Sequence, residues 1–137
     1  MSTALALPFV TVSNDIRNKG NAAQVKWHTE QNWQAHRLFE HVTNGFPFAV
    51  GVYRDNRRRG DYFISGQLIG LDFDKLTLES AHKLLAEEFV SLYASFVYST
   101  PSHTPEAPRL RLVFVLEEPL KGKERYEISV SKLLSMF

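Results

Sequence analysis

The sequence contains no cysteine, no long apolar run and almost no net charge, and each absence excludes a class of function. Without cysteine among its 137 residues, the chain has neither disulfide bonds nor thiolate zinc sites. No apolar run approaches the ~20 residues that a membrane-spanning helix needs, and the first residues lack the basic stretch of a signal peptide. The formal net charge of +1 identifies no partner. We therefore expect a cytoplasmic protein with no membrane partner, in which residues 1–137 form a single domain.

Apolar periodicity predicts an α+β fold in which a mixed sheet packs against helices. Residues 1–26 are poorly patterned. A strand at 62–74, a helix at 77–93 and a strand at 94–100 form a crossover unit, which predicts that the two strands are parallel. The other expected elements are helices at 28–45 and 123–137 and strands at 47–54 and 109–118.

Local signals support these assignments. Thr29 and Thr77 are the expected helix N-caps, and Asn44-Gly45 is expected to end the first helix. The two tryptophans, Trp27 and Trp33, are expected in the core.

The stretch LIGLDFD ends a predicted buried strand with two aspartates, Asp72 and Asp74. Side chains alternate along a strand, so both carboxylates are expected on one face, ~7 Å apart, where they repel each other. A cation would relieve this repulsion, and carboxylate oxygens suit Mg²⁺ or Mn²⁺. The alternative is a solvated strand end at which the aspartates begin a turn. The spacing leaves both interpretations open, because D-x-D is a short pattern.

His103 lies in a proline-bounded loop, residues 101–108, after the strand predicted at 94–100. The parallel crossover predicts that this loop reaches the same end of the sheet as the aspartates, where ligands gather in parallel sheets. Its histidine and its hydroxyl side chains, among them Ser102, can hydrogen-bond phosphate oxygens. The alternative is a capped loop with an incidental exposed histidine.

Two sets of arginines are candidate phosphate contacts. Arg109 and Arg111 share one face of the strand at 109–118, and arginine holds phosphate with a bidentate fork. The alternative is an edge strand protected by charge. The second set lies in a predicted hairpin turn at 55–61. Its arginines either contact a nucleic-acid backbone or belong only to a solvated turn. This second set is Arg57, Arg58 and Arg59.

Together these segments resemble the catalytic core of the archaeo-eukaryotic primase superfamily, and most closely the primase–polymerases of plasmids, phages and other mobile elements. The resemblance rests on LIGLDFD, the crossover helix, YSTPSHT and RLRLVFVLEEPL, and it covers roughly residues 27–120. In that family the D-x-D aspartates, here Asp72 and Asp74, hold metal ions. The histidine of the second motif, here His103, contacts the phosphates of the incoming nucleotide. The small residue of that motif falls on Pro101, a mild departure from the pattern.

The resemblance implies an RRM-like palm sheet joined to an N-terminal αβ module. It also implies template-directed nucleotidyl transfer with two Mg²⁺ or Mn²⁺ ions, nucleoside triphosphates, a single-stranded DNA template or primer, and a helicase as a further domain or partner. The family carries a third carboxylate on a later strand, whereas this sequence has no aspartate after Asp74. We therefore interpret residues 1–137 as the N-terminal part of a primase–polymerase core with an incomplete palm. We expect this part to be inactive alone and its parent protein to be an enzyme.

Two alternatives stay open. A replication-initiator nuclease with an RRM-like sheet would need a paired-histidine metal site and a nucleophilic tyrosine, and His103 has no histidine two residues away. A non-catalytic nucleic-acid-binding module with a degenerate palm would explain the absent third carboxylate.

Overall fold

A small antiparallel sheet is the first unit of the fold. In the computed structural model, the described residues are 6–15, 26–58, 60–100 and 103–137. The strands of this sheet are β1 (Ala6–Val12), β2 (His28–Gln34) and β3 (Phe48–Ala49), and helix α1 (Ala35–Thr43) follows β2 directly. The strand order is β2-β1-β3.

The prediction of a helix at 28–45 is wrong in its first half. β2 pairs antiparallel with β1, a strand that lies inside the region expected to be poorly patterned. The interstrand hydrogen bonds satisfy the backbone groups that a helix would satisfy internally. Thr29 is therefore a strand residue rather than an N-cap. The predicted end is confirmed, because α1 ends at Thr43 and Gly45 adopts a φ of 93°, which glycine takes without a steric penalty.

A second sheet of four strands forms the centre of the molecule, and three helices accompany it. The strands are β4 (Gly51–Tyr53), β5 (Phe63–Phe73), β6 (Phe96–Ser99) and β7 (Leu110–Lys121). The helices are α2 (Leu78–Ala86), α3 (Glu88–Tyr93) and α4 (Lys123–Leu134). The strand order is β4-β5-β7-β6, with antiparallel neighbours. Since β5 and β6 both run antiparallel to β7 between them, they are parallel to each other, as predicted, in a split β-α-β arrangement.

Two predicted elements are divided in the structure. The predicted strand at 47–54 contributes β3 to the first sheet and β4 to the second. The predicted helix at 77–93 is interrupted at Glu87, whose ψ of 131° separates α2 from α3. Its start is confirmed. The Thr77 hydroxyl accepts from the Ser80 N–H at 3.1 Å, and the Ser80 hydroxyl accepts from the Thr77 N–H at 2.8 Å, which is a reciprocal capping box.

Apolar side chains bury both faces of the second sheet. On one face, Leu68 and Val113 join a cluster with Leu38 of α1 and with Trp33, which is a core residue as predicted. The opposite face packs against α2, α3 and α4 through a second cluster that includes Ile69, Leu71, Leu112 and Phe114. The α+β class is confirmed. No helix within the described ranges is long and apolar enough to cross a bilayer.

Candidate functional site

Asp72, Arg111 and Tyr98 lie side by side across three neighbouring strands. Arg111 on β7 is opposite Asp72 of β5 and opposite Tyr98 of β6. Its guanidinium donates to both carboxylate oxygens of Asp72, with Nε 2.5 Å from Oδ1 and Nη2 3.3 Å from Oδ2. Its Nη1 also donates to the Tyr98 hydroxyl oxygen at 2.7 Å. The positive charge beside Asp72 in this chain is therefore a guanidinium.

Arg111 is strongly held in its charged form at this position. Its side chain is 26% exposed, whereas that of Asp72 is 57% exposed. Burial opposes the charge of the guanidinium, but the hydrogen bonds with Asp72 and Tyr98 and the negative charge of the carboxylate outweigh it and raise the pKa of Arg111. The three side chains thus form one ionic network, positioned by the strand register.

Asp74 lies just beyond β5, which ends at Phe73. It is exposed and stands in the short turn that precedes the N-cap of α2. β5 ends one residue before Asp74, so the strand pairing fixes the face of Asp72 but not that of Asp74. The two carboxylates nevertheless stand two residues apart at the same edge of the sheet.

The loop between β6 and β7 reaches the sheet edge at which the two aspartates lie. Phe73, the last residue of β5, is opposite Leu110, the first residue of β7, and Leu110 is opposite Ser99, the last residue of β6. The carboxyl ends of β5 and β6 therefore lie at one edge, and the loop that carries His103 leaves from it. Ser102 lies outside the described residues.

His103 is held by backbone contacts on both sides of its loop. Its N–H donates to the Thr100 carbonyl at 2.9 Å, and its Nδ1 accepts from the Arg109 N–H at 3.0 Å. Because Nδ1 accepts, the neutral ring carries its proton on Nε2, which makes Nε2 a donor. The residue is exposed, and within the described ranges Nε2 has no hydrogen-bond partner. This arrangement suits an acceptor such as a phosphate oxygen.

Arg109 closes the same loop. Its carbonyl accepts from the Thr100 N–H at 3.1 Å, and its Nε is buried without a hydrogen-bond partner in the described part of the chain. β7, which begins directly after it, is an interior strand. The alternative of a charge-protected edge strand is therefore wrong for Arg109 and Arg111.

The two carboxylates at this edge suit a partly hydrated divalent ion. Among the described residues, no three metal-ligating side chains form a cluster. Each Asp72 oxygen keeps a lone pair beyond the one that Arg111 uses, and Asp74 is exposed. Mg²⁺ commonly keeps several waters and binds through one or two carboxylates plus substrate phosphates. Asp72 and Asp74 fit that mode of binding.

The predicted arginine turn lies at the opposite end of β5. Arg57 and Arg58 are exposed, and Arg59 is outside the described residues. The Arg58 guanidinium lies 5.5 Å from the ring centroid of Trp27. Trp27 is half-buried at this surface, so its prediction as a core residue is wrong.

Sequence reasoning missed two tyrosines, Tyr98 and Tyr62, that contact these arginines. An aromatic residue in or beside a strand is equally typical of a core, so the sequence carried no signal that separated the two roles. The strand register places Tyr98 beside Arg111, and the 54–62 turn places Tyr62 beside Arg57.

The chain matches a known protein family. The family model described as the VapE N-terminal domain matches residues 42–135, more than half of the chain. The matched region contains β5, the β6–β7 loop and β7. Except for Trp27, all of the candidate residues named above lie between residues 42 and 135. No curated protein and no solved structure matches the chain significantly.

Proposed function

The chain belongs to the VapE N-terminal domain family, which is associated with phage and plasmid replication, and from that premise we propose that it forms the nucleotide-binding part of a primase–polymerase of the archaeo-eukaryotic primase type. The proposed reaction is template-directed nucleotidyl transfer. Its substrates are nucleoside triphosphates and a single-stranded DNA template or primer. A helicase domain or protein is the proposed further partner, and the cytoplasm is the proposed location.

One observation carries this proposal. The D-x-D carboxylates at the end of β5 and the His103 loop after β6 meet at one edge of the sheet, because β5 and β6 are parallel with β7 between them. Nucleotidyl transfer needs carboxylates for a divalent ion and donors for a triphosphate at the same place. This edge offers both.

Each residue has a distinct proposed role. Asp72 and Asp74 would contribute two carboxylates to a site for two Mg²⁺ or Mn²⁺ ions; when bound, one ion lowers the pKa of the attacking hydroxyl and the other neutralises the leaving pyrophosphate. The Nε2–H of His103 would donate to a phosphate oxygen. Arg109 would add positive charge beside it, and Ser102 is a further proposed phosphate contact.

Arg111 would exchange partners during binding. The guanidinium fork of Arg111 donates to both carboxylate oxygens of Asp72. The phosphate oxygens of a triphosphate are stronger hydrogen-bond acceptors for the same guanidinium group. Arg111 would then turn to the phosphates and leave Asp72 for the metal ion.

The proposal is tested by primer synthesis and primer extension on single-stranded DNA, with the full-length gene product and Mn²⁺ or Mg²⁺. Asp72→Asn with Asp74→Asn removes two charges with little change in shape, and we expect it to abolish product formation. Glu117→Gln with Glu118→Gln, which removes two exposed charges elsewhere on β7, serves as the matched control. Full activity of the aspartate variant would refute the proposal.

A non-catalytic nucleic-acid-binding module is the second candidate function. It is favoured by the ion pair between Asp72 and Arg111, which neutralises the carboxylate, and by the lack of a three-ligand cluster among the described residues. Under this alternative, the full-length protein binds single-stranded DNA but makes no primer under any metal condition. Primer synthesis that depends on Asp72 and Asp74 would exclude it.

A further inference from the structure

Two aromatic rings and three arginines share one surface at the end of β5 that is remote from Asp72. We propose that this arginine–aromatic surface binds single-stranded nucleic acid, with bases stacked on its rings and phosphates paired with its guanidinium groups. The inference rests on the proposed function for the choice of nucleic acid as partner, and it adds a second contact site. The surface consists of Trp27, Tyr62, Arg54, Arg57 and Arg58.

The guanidinium groups of this surface are already arranged around its rings. Arg54 lies 4.4 Å and Arg57 5.7 Å from the ring centroid of Tyr62. Arg58 lies 5.5 Å from that of Trp27. Bases stack on aromatic side chains and on guanidinium planes alike, and cation–π contacts add to stacking in single-strand binding. The surface thus presents both kinds of stacking partner together.

Hydrogen bonds hold the two halves of the surface together. The Thr29 hydroxyl of β2 donates to the Asn56 side-chain oxygen at 2.8 Å, which fixes the strand start beside Trp27 to the turn that carries the arginines. Within that turn, the Arg57 N–H donates to the Arg54 carbonyl at 3.2 Å. A surface held in this way loses less entropy when it binds a ligand.

The charge of the surface suits a polyanion. The segment 54–61 contains four arginines and two aspartates. Lys123 of α4 lies beside this segment, with its Nζ 2.9 Å from the position that a Cβ on Gly60 would occupy and 3.9 Å from a carboxylate oxygen of Glu127. The guanidinium groups of Arg54, Arg57 and Arg58 are spread over two rings instead of converging on one point, which suits a chain of phosphates better than a single small anion.

The rings favour a single strand over a duplex, because only unpaired bases offer their faces for stacking. The position of the surface agrees with an extended ligand. Tyr62 directly precedes β5, and Asp72 lies ten residues further along, or roughly 30 Å at the rise of a strand. We therefore infer that this surface holds the nucleic-acid strand at a distance from the nucleotide site.

Fluorescence anisotropy with a labelled oligothymidylate, in EDTA and over a range of salt concentrations, tests the charge part of the proposal. Arg57→Gln with Arg58→Gln should weaken binding about tenfold at low salt. It should also lower the slope of log affinity against log salt by about 1.4, since each phosphate contact in a single strand contributes about 0.7. Lys83→Gln with Lys132→Gln removes two exposed charges from α2 and α4 and should leave the slope unchanged.

The stacking part is tested with a pair of variants at one position. Tyr62→Leu should weaken binding about tenfold without a change of slope, whereas Tyr62→Phe, which keeps the ring, should retain the affinity. Equal losses in both variants would overturn the proposal, as would an unchanged salt slope in the double arginine variant. Equal affinity for polyglutamate would show a site for acidic protein segments and would also overturn it.

The outcome is separable from that of the proposed function. The binding assay contains EDTA, so it measures the arginine–aromatic surface without the metal ion that the nucleotide site at the other end of β5 requires. Loss of primer synthesis alone therefore reports on the nucleotide site, and loss of oligothymidylate binding alone reports on the arginine–aromatic surface.

Discussion

Replacement of Arg111 by methionine should strengthen the binding of Mn²⁺ to this chain. The guanidinium takes one lone pair from each carboxylate oxygen of Asp72, so an ion that uses this carboxylate has to displace it. Methionine keeps much of the apolar volume of the arginine stem and removes the fork. The carboxylate, 57% exposed, then faces water and the metal ion alone.

The magnitude follows from the geometry of the ion pair. A hydrogen bond to a charged group contributes about 1.5–3 kcal/mol, whereas an exposed ion pair contributes about 0.2–1 kcal/mol. With Arg111 mostly buried and Asp72 mostly exposed, we take a value between these ranges, about 1.4 kcal/mol, which corresponds to about tenfold in affinity. Arg111→Met should therefore raise the affinity for Mn²⁺ about tenfold.

Electron paramagnetic resonance of free Mn²⁺ during a titration with protein measures this affinity. The removal of any nearby positive charge also favours a cation, so Arg109→Met is the matched control, because Arg109 forms no ion pair with Asp72. The control should raise the affinity by a smaller factor. An equal effect of the two variants, or a loss of affinity in Arg111→Met, would refute the reasoning.

Two further predictions concern stability. Gly66→Ala should destabilise the fold by about 1–3 kcal/mol in urea denaturation, because its Cβ would lie 2.5 Å from the packed ring of Tyr126. Gly70→Ala on the same strand meets nothing closer than 3.6 Å, so equal losses at both positions would contradict this account. For His41, burial lowers the pKa, so the folded state holds the ring neutral while the unfolded chain takes up a proton. Stability should therefore fall as the pH drops from about 7 to about 5.5, and His41→Gln should flatten this dependence; an unchanged pH profile in that variant would contradict it.

The parts of the fold that were predictable have local causes. β5 is rich in apolar residues and is bounded by turns, and the start of α2 is marked by a Thr77-x-x-Ser80 pair that caps its own backbone. The parallel course of β5 and β6 follows from the crossover helices between them. In each case the determining contacts lie within the segment itself or between neighbouring segments of the chain.

The parts that were missed depend on distant pairing. Residues 28–34 do not alternate between apolar and polar side chains. They are extended because they pair with β1, which lies in a region where no strand was predicted. Asp72 and Arg111 are 39 residues apart, and only the register of β5 on β7 makes them opposite each other. The spacing of Asp72 and Asp74 left a bound cation and a solvated turn both open, and in the fold Arg111, a candidate phosphate contact, donates to Asp72.

The central claim is that the end of β5 and the His103 loop form a single site for metal and nucleotide. Fe²⁺ in place of Mg²⁺, with a nucleoside triphosphate, ascorbate and peroxide, generates radicals that cut the backbone beside the bound ion. We predict cuts next to Asp72 and Asp74 and in the loop around His103. Both should disappear in Asp72→Asn with Asp74→Asn and persist in Glu117→Gln with Glu118→Gln. Cuts at other positions only, or cuts that persist without the two aspartates, would contradict the account.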